Sequence, residues 1–301
     1  MTNTITATSQ ATRLAIGSIL IGCCVLALKF LAYWLTGSLA LFSDALESIV
    51  NVVAAGAALA AIRYGGKPAD ADHPYGHAKA EYFAAVLEGV LIIVAALAII
   101  VTALPLLTNP KIITLNWPGL AVAGLAGVIN FVWSRHLLLR ARALRSPALE
   151  ADAHHLMSDV VSTIGTTLGV LLAMGSGIAI LDPVLALLVA GNILRSGTKL
   201  IRASVDGLMD MAPDAAMQGA LQAIIRRTSK GALEAHDFRS RLAGFNLFID
   251  FHLVVPGSMS VHEAHDICDR IEQGIKAEFP NAATTIHVEP DYKAKRKGLV
   301  F

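Results

Sequence analysis

The chain has 301 residues, of which 55% are hydrophobic and 16% are charged, and its mean hydropathy is +0.60. Because a soluble domain usually carries about 25% charged residues, this composition indicates a membrane protein. The net charge of +1 gives no support for a nucleic acid as partner. The chain has three cysteines, Cys23, Cys24 and Cys268, and their positions do not make a disulfide framework.

Six apolar segments are long enough to cross a bilayer, which needs roughly 20 apolar residues per helix. We predict helices over residues 14–35, 39–62, 82–107, 117–138, 150–174 and 178–200. Lysine and arginine cluster after the second, fourth and sixth segments, whereas the opposite loops hold only Lys111. Because positively charged loops stay in the cytoplasm, both termini are predicted to be cytoplasmic.

The composition changes after this membrane domain, which we place at residues 1–211, and residues 212–301 are predicted to form a cytoplasmic α+β domain. The expected order is α-β-β-α-β, with helices over 214–229 and 260–279 and strands over 233–241, 245–255 and 284–289. A domain this small gains from dimerisation or metal. The basic stretch at residues 293–297 is predicted to be a solvated tail.

Charged and strongly polar groups are costly inside a bilayer, so those within the predicted spans indicate function. The second and fifth predicted helices each carry three of them at spacing i, i+3, i+7, which is one face of a helix. They are Asp44, Glu47 and Asn51 in the second helix and Asp152, His155 and Asp159 in the fifth.

Two helices that offer these faces to each other can form a four-ligand cage from Glu47, Asn51, His155 and Asp159. Three oxygens and one nitrogen suit tetrahedral zinc, and oxygen-rich versions also admit manganese or iron. The alternative is a set of polar contacts that only hold the helices together.

Three further acids lie within the predicted spans but are not among the four candidate ligands of the cage. Asp44 and Asp152 lie about one turn from the candidate ligands and are interpreted as supporting or entry residues. Glu88, in the third helix, either lines the pathway or pairs with another helix.

The loop between the second and third predicted helices places Asp70, His73 and His77 at metal-ligand spacing, although an ordinary surface loop is the alternative. Three parts of the sequence resemble motifs of the cation diffusion facilitator family. They are this loop, the separate segment of residues 37–48, and the pair His155-x-x-x-Asp159. The resemblance extends over essentially the whole chain and includes bacterial zinc, iron and cadmium proton antiporters.

The resemblance implies a homodimer in a bacterial inner membrane that exchanges protons for a divalent metal. It implies a transport site at Glu47, Asn51, His155 and Asp159 and a loop site at Asp70, His73 and His77. It also implies a ferredoxin-like cytoplasmic domain with a binuclear metal site, at His236, His252, His265, His287 and Glu289.

Two departures from the family pattern concern the transport site. Family members commonly carry His or Asp where Glu47 stands, and Asp where Asn51 stands, which puts the metal preference in doubt.

The family also has a charge interlock, which maps to Lys79 and Asp210, with Asp206 as the alternative acid. A snorkelling role for Lys79 is the simpler interpretation.

We therefore predict a secondary transporter that exports a divalent transition metal by proton antiport. Zinc is the expected substrate, with manganese, iron, cadmium and cobalt open. The alternative is a non-transporting membrane metal sensor or scaffold of the same fold. An intramembrane metalloenzyme is not expected, because it needs a general base and the chain has no His-Glu-x-x-His string.

Overall fold

The computed structural model describes residues 2–36, 39–109, 117–296 and 298–301. The chain forms two compact units, of which the first is residues 5–205 and the second is residues 206–301 with residues 2–4. The described part of the first unit is built from long helices: α1 (Thr2–Thr36), α2 (Leu39–Gly65), α3 (Ala80–Thr108), α4 (Trp117–Leu144), α5 (Pro147–Ser176) and α6 (Leu181–Leu208).

Three stretches of the described helices are long and apolar enough to cross a membrane: Thr8–Trp34, Ala80–Thr108 and Pro183–Leu208. Large apolar side chains along them face outwards, including Leu20, Val101 and Leu188. Lipid is the solvent in which such an apolar surface carries no free-energy cost. The crossing of the membrane by all six helices stays a prediction.

The helices of the first unit pack through small residues. One buried cluster joins α1, α2 and α5 through Ala15, Ala58 and Ala153. α3 and α6 meet at glycines, because a Cβ on Gly89 would lie 3.3 Å from the carbonyl oxygen of Gly197. Small residues let helix backbones approach closely, as they do in membrane bundles.

The second unit consists of α7 (Ala215–Thr228), β1 (Glu234–Ala243), β2 (Asn246–Val255), α8 (Val261–Glu278), β3 (Ala282–Pro290) and β4 (Leu299–Val300). The strand order is β3-β2-β1-β4, in which β2 and β3 are parallel and the other pairs antiparallel. The elements α7 to β3 follow the order that the sequence predicts, and β4 is an addition that the sequence analysis missed.

One face of this sheet is apolar and the other polar. Leu247, Ile249 and Phe251 of β2 are buried in a single cluster with Ile224 of α7 and Ile271 of α8. Because side chains alternate along a strand, the polar residues of β2 lie on the opposite face. The histidines of this domain that stand on strands therefore lie away from the helices.

Candidate metal centres

Asn51 of α2 and His155 and Asp159 of α5 lie together in the first unit. The Nε2 atom of His155 is 2.7 Å from Asn51 Oδ1, and the Asn51 side-chain amide donates to Asp159 Oδ2. One helical turn separates His155 from Asp159, so a single side chain of α2 can contact both. The structure thus brings together three of the four side chains predicted for the transport site.

Glu88 of α3 completes the polar group around His155. Its Oε2 atom lies 2.9 Å from His155 Nδ1, and both side chains are buried. Neither atom has a hydrogen-bond partner of good geometry among the described residues, so the contact is a close approach of a carboxylate to an imidazole. Because Asn51 contacts Nε2, a metal held by Asn51, His155 and Asp159 would bind that nitrogen and leave Nδ1 beside Glu88. Of the two roles that the sequence left open for Glu88, the contacts favour pairing with another helix.

Among the other acids of the predicted spans, the structure describes the side chain of Asp152 but not those of Asp44 and Glu47. Asp152 is buried and hydrogen-bonds Ser18 of α1, which also accepts a hydrogen bond of 2.8 Å from Trp133 Nε1. The side chains of Asp44 and Glu47 lie outside the described part of the structure. The role of Glu47 as a metal ligand therefore stays a prediction.

The loop between α2 and α3 gathers the three residues that the sequence singles out. Ligand atoms of Asp70, His73 and His77 all lie within 4.8 Å of one another. His77 is buried, its Nδ1 atom lies 3.2 Å from the carbonyl oxygen of Pro68, and its Nε2 atom lies 3.3 Å from Asp70 Oδ2. One carboxylate and two imidazoles form a donor set that zinc accepts.

Asp70 is held as an anion in this cluster. The backbone N–H of His73 donates to Asp70 Oδ1 at 2.7 Å, and this hydrogen bond lowers the pKa of the Asp70 carboxyl. Gly76, with φ of 82°, makes the turn that returns the chain to His77 and α3. The cluster is therefore charged at neutral pH and is formed by local turns of the loop.

A row of three histidines crosses the polar face of the sheet in the second unit. In the strand register, His236 of β1 lies opposite His252 of β2, which lies beside His287 of β3. Their ring centroids are 5.4 and 4.9 Å apart along the row. The alternation of residues predicts which face they share, whereas the register is what aligns them.

Carboxylates surround this row and include two that the sequence analysis missed. Glu289, which was predicted, lies 3.3 Å from His236 Nε2 and 3.2 Å from His252 Nδ1. Glu234 lies 3.2 Å from His236 Nδ1, and Asp237 lies 3.8 Å from His252 Nδ1. The alternation Glu234-x-His236 is the sequence signal that could have revealed Glu234.

The buried nitrogens of this row fit a resident metal ion. Neither ring nitrogen of His236 has a hydrogen-bond partner among the described residues, although the side chain is only 3% exposed. Such buried polar atoms are normally satisfied, and a divalent cation between imidazole and carboxylate would satisfy them. His236, His252 and Asp237 also have ligand atoms within 4.8 Å of one another.

The described lysine and arginine residues of the basic tail are exposed, as predicted, and two of them also contact the sheet. The Lys295 ammonium donates to Asp237 Oδ2, and this contact lowers the pKa of Asp237. The backbone N–H of Arg296 donates to Glu234 Oε2 at 2.9 Å. The tail passes so close to β1 that a Cβ on Gly298 would overlap the Ala235 carbonyl oxygen.

Two predicted assignments stay predictions. His265 is exposed on α8, 3.6 Å from Asp269, and it lines a cavity of about 410 Å³ together with Glu289. The contacts of the described residues do not bring it into the histidine row. The interlock between Lys79 and Asp210 would join the two units, and within the second unit Asp210 pairs with Arg241 at 2.9 Å.

Comparison with known proteins defines the class of this chain. Residues 15–209 match the cation efflux transmembrane domain, and residues 213–291 match the cytoplasmic domain of cation efflux proteins. The chain therefore belongs to the cation diffusion facilitator family and is an integral membrane protein. The family consists of transporters of divalent metal cations rather than enzymes.

Individual relatives match over most of their length. An uncharacterised transporter of Synechocystis sp. (strain ATCC 27184 / PCC 6803 / Kazusa) is 40% identical over 264 residues, which are 87% of this chain and 85% of that protein. The cation-efflux pump FieF of Salmonella paratyphi A is 31% identical over 293 residues, which are 96% of each protein. A solved structure described as a candidate zinc transporter, CzrB, in its zinc form is 40% identical over 29% of this chain and 99% of its own, with a TM-score of 0.28.

Proposed function

We propose that this cation efflux transporter exports zinc from the cytoplasm in exchange for protons. The observation that carries the proposal is the partly buried group of Asn51, His155, Asp159 and Glu88, in which imidazole and carboxylate can bind either a metal or protons. Metal binding to imidazole and carboxylate releases protons, so one site can carry either cargo. Exposure of this group to each side of the membrane in turn gives antiport.

Zinc is favoured by the chemistry of the donors. Mixed nitrogen and oxygen ligands in a four-ligand site suit zinc, which has no preference for a larger oxygen-rich shell. Manganese, iron, cadmium and cobalt are the competing substrates, because Asn51 and Glu47 make the site richer in oxygen than a histidine-rich zinc site.

The remaining parts of the proposal concern architecture. Six helices at residues 1–211 cross a bacterial inner membrane with both termini in the cytoplasm, and residues 212–301 form a ferredoxin-like domain. A homodimer assembles through this domain, and lipid surrounds the helices. The loop cluster, the histidine row with His265, and the interlock of Lys79 with Asp210 regulate or stabilise the transporter.

Reconstituted protein provides the direct test of transport. Zinc is expected to accumulate in proteoliposomes whose interior is acidic, and a pH dye inside should report proton efflux with the same time course. A protonophore should remove the accumulation. Uptake that ignores the pH gradient would refute antiport, whereas stoichiometric zinc binding without uptake of any of the five metals would establish the sensor alternative.

The metal preference should respond to the α2 half of the site. The double change Glu47→Asp and Asn51→Asp shortens one ligand and adds one negative charge, so the relative rates for zinc, cadmium and manganese are expected to change by about tenfold or more, since ligand type and geometry set selectivity. Uptake competition among these metals measures the ranking.

The two single variants separate the causes of this change. Glu47→Asp alters reach at constant charge, and Asn51→Asp alters charge at nearly constant size. If the double variant keeps the wild-type ranking of the metals, neither residue coordinates the cargo.

A further inference from the structure

Glu81 lies at the start of α3, one turn beyond His77 of the loop cluster. The backbone N–H of Ala80 donates to the His77 carbonyl oxygen at 2.9 Å, so the last residue of the cluster also begins the helix. Glu81 is only 5% exposed. The transport proposal gives no role to this buried carboxylate.

The Glu81 carboxylate accepts a hydrogen bond at the N-terminus of α5. Ser146, the N-cap of α5, donates its hydroxyl to Glu81 Oε2, and the backbone N–H of Ala148 lies beside the same carboxylate. Pro147 has no N–H, and the Leu149 N–H donates to Ser146 Oγ at 3.4 Å. The unpaired donors of the first turn are thus satisfied partly by a residue of another helix, and its negative charge complements the helix dipole.

A second contact joins the same two helices deeper in the bundle. Glu88 follows Glu81 by seven residues, about 10 Å along the same face of α3, and contacts His155 of α5. His155 lies nine residues after Ser146, about 14 Å along α5. α3 is therefore fixed to α5 both at the N-terminus of α5 and at the transport site, and its own first turn belongs to the loop cluster.

We infer that Glu81 is a positioning residue that couples the loop cluster to the transport site. Metal held by Asp70, His73 and His77 fixes the first turn of α3, and Glu81 passes this constraint to α5 and its ligands His155 and Asp159. This inference rests on the proposed transport function. The simpler role for Glu81 is a helix cap that stabilises α5 without linking the two clusters.

The coupling is measured in the full-length protein as a ratio of two zinc affinities of the transport site. One is measured with the loop cluster intact and the other with the loop cluster removed. All variants carry His236→Ala and His252→Ala, so that zinc binding reports only the loop and transport sites. The loop cluster is removed with Asp70→Asn and His73→Ala, two exposed residues whose change leaves in place the contact of the buried His77 with the Pro68 carbonyl oxygen. With Glu81 present, removal of the loop cluster is expected to weaken zinc binding at the transport site about tenfold, a typical coupling between sites.

Glu81→Gln should reduce this ratio to less than twofold, because the amide keeps the size of the side chain but loses the charge beside both donors. The matched control is Glu150→Gln, an acid in the first turn of α5 that pairs with Arg142 at 3.3 Å instead of contacting α3. This control is expected to keep the tenfold ratio. A ratio that stays tenfold in Glu81→Gln overturns the inference.

A restored cap distinguishes coupling from simple stabilisation. Ser146→Asp combined with Glu81→Ala supplies an anionic N-cap within α5 itself but no link to α3. We expect this double variant to recover the melting temperature lost in Glu81→Ala while the affinity ratio stays below twofold. Recovery of both would show that Glu81 is only a cap.

Hydrogen exchange provides a readout that involves no transport. With the transport site removed by Asp159→Ala, zinc added to the loop cluster should increase protection of the amides at Ala148 and Leu149 in the presence of Glu81 and leave them unchanged in Glu81→Gln. Unchanged protection with Glu81 present would contradict the inference. If zinc binds neither cluster in the protein with Glu81, the proposed function fails instead.

Discussion

Replacing His155 with alanine is expected to lower zinc transport by at least about 100-fold, and Asp159→Ala should do the same. Changes that only disturb the surroundings of a metal ligand cost 10- to 100-fold in affinity, so loss of a ligand itself should cost no less. Asn51 contacts both residues, so each variant leaves one of these two contacts in place. Initial rates of zinc uptake in proteoliposomes measure the effect, with thermal unfolding to show that the fold is retained.

The neighbouring histidine is the matched control for this prediction. His154 is about one third exposed and lies 3.9 Å from Glu150, on a different side of α5 from Asn51. His154→Ala should therefore keep wild-type transport. Glu88→Gln should weaken transport less than His155→Ala, because it removes the charge beside the ring and leaves the ligands in place. Wild-type flux from His155→Ala would exclude the polar group as the transport site.

Zinc is expected to raise the melting temperature of an isolated fragment of the second unit, residues 213–301, by roughly 10–20 °C at a hundredfold excess over its dissociation constant. The excess contributes about 2.7 kcal/mol, and one kcal/mol shifts the melting temperature of a domain of this size by about 4–8 °C. The unit has its own apolar core, so it can be tested alone. Dimerisation of the fragment should strengthen in parallel if the metal binds only the assembled dimer.

Variants of the histidine row test whether the shift comes from the predicted ligands. His236→Ala with His252→Ala should remove most of it, whereas His262→Ala, an exposed histidine at the start of α8, should keep it. His265 is not in contact with the row in the described structure, so His265→Ala tests whether it is also a zinc ligand. If zinc moves neither the melting temperature nor the dimer equilibrium of the unaltered fragment, the row does not bind a resident metal.

Local sequence patterns predict well what depends on a single element. The spacing of Asp152, His155 and Asp159 places them on one face of α5, and the cost of charge in a bilayer indicates that this face has a partner. The loop cluster is equally local, since turns between Asp70 and His77 form it. His155 and Asp159 both contact Asn51, and Asp70 contacts both His73 and His77, as these local patterns predict.

Contacts between elements were harder to predict. α3 is apolar on nearly every side, so periodicity does not show which side faces α5, and the pairing of Glu88 with His155 depends on how the two helices pack. The alternation of His236, His252 and His287 gives their face, but their alignment depends on strand register, which the sequence does not determine. Asp237 is a further case, because it sits at a β-bulge with φ of 55° that changes the direction of its side chain.

The contact of Lys295 with Asp237 affects how any affinity of the histidine row should be interpreted. A zinc ion arriving there competes with an ammonium group of the same chain, so the observed constant is that of an exchange rather than of binding to open ligands. A fragment trimmed at residue 291, where the match to the cytoplasmic domain ends, lacks this competitor and should bind zinc more tightly than the intact protein. Values obtained with trimmed and intact chains therefore describe two different equilibria.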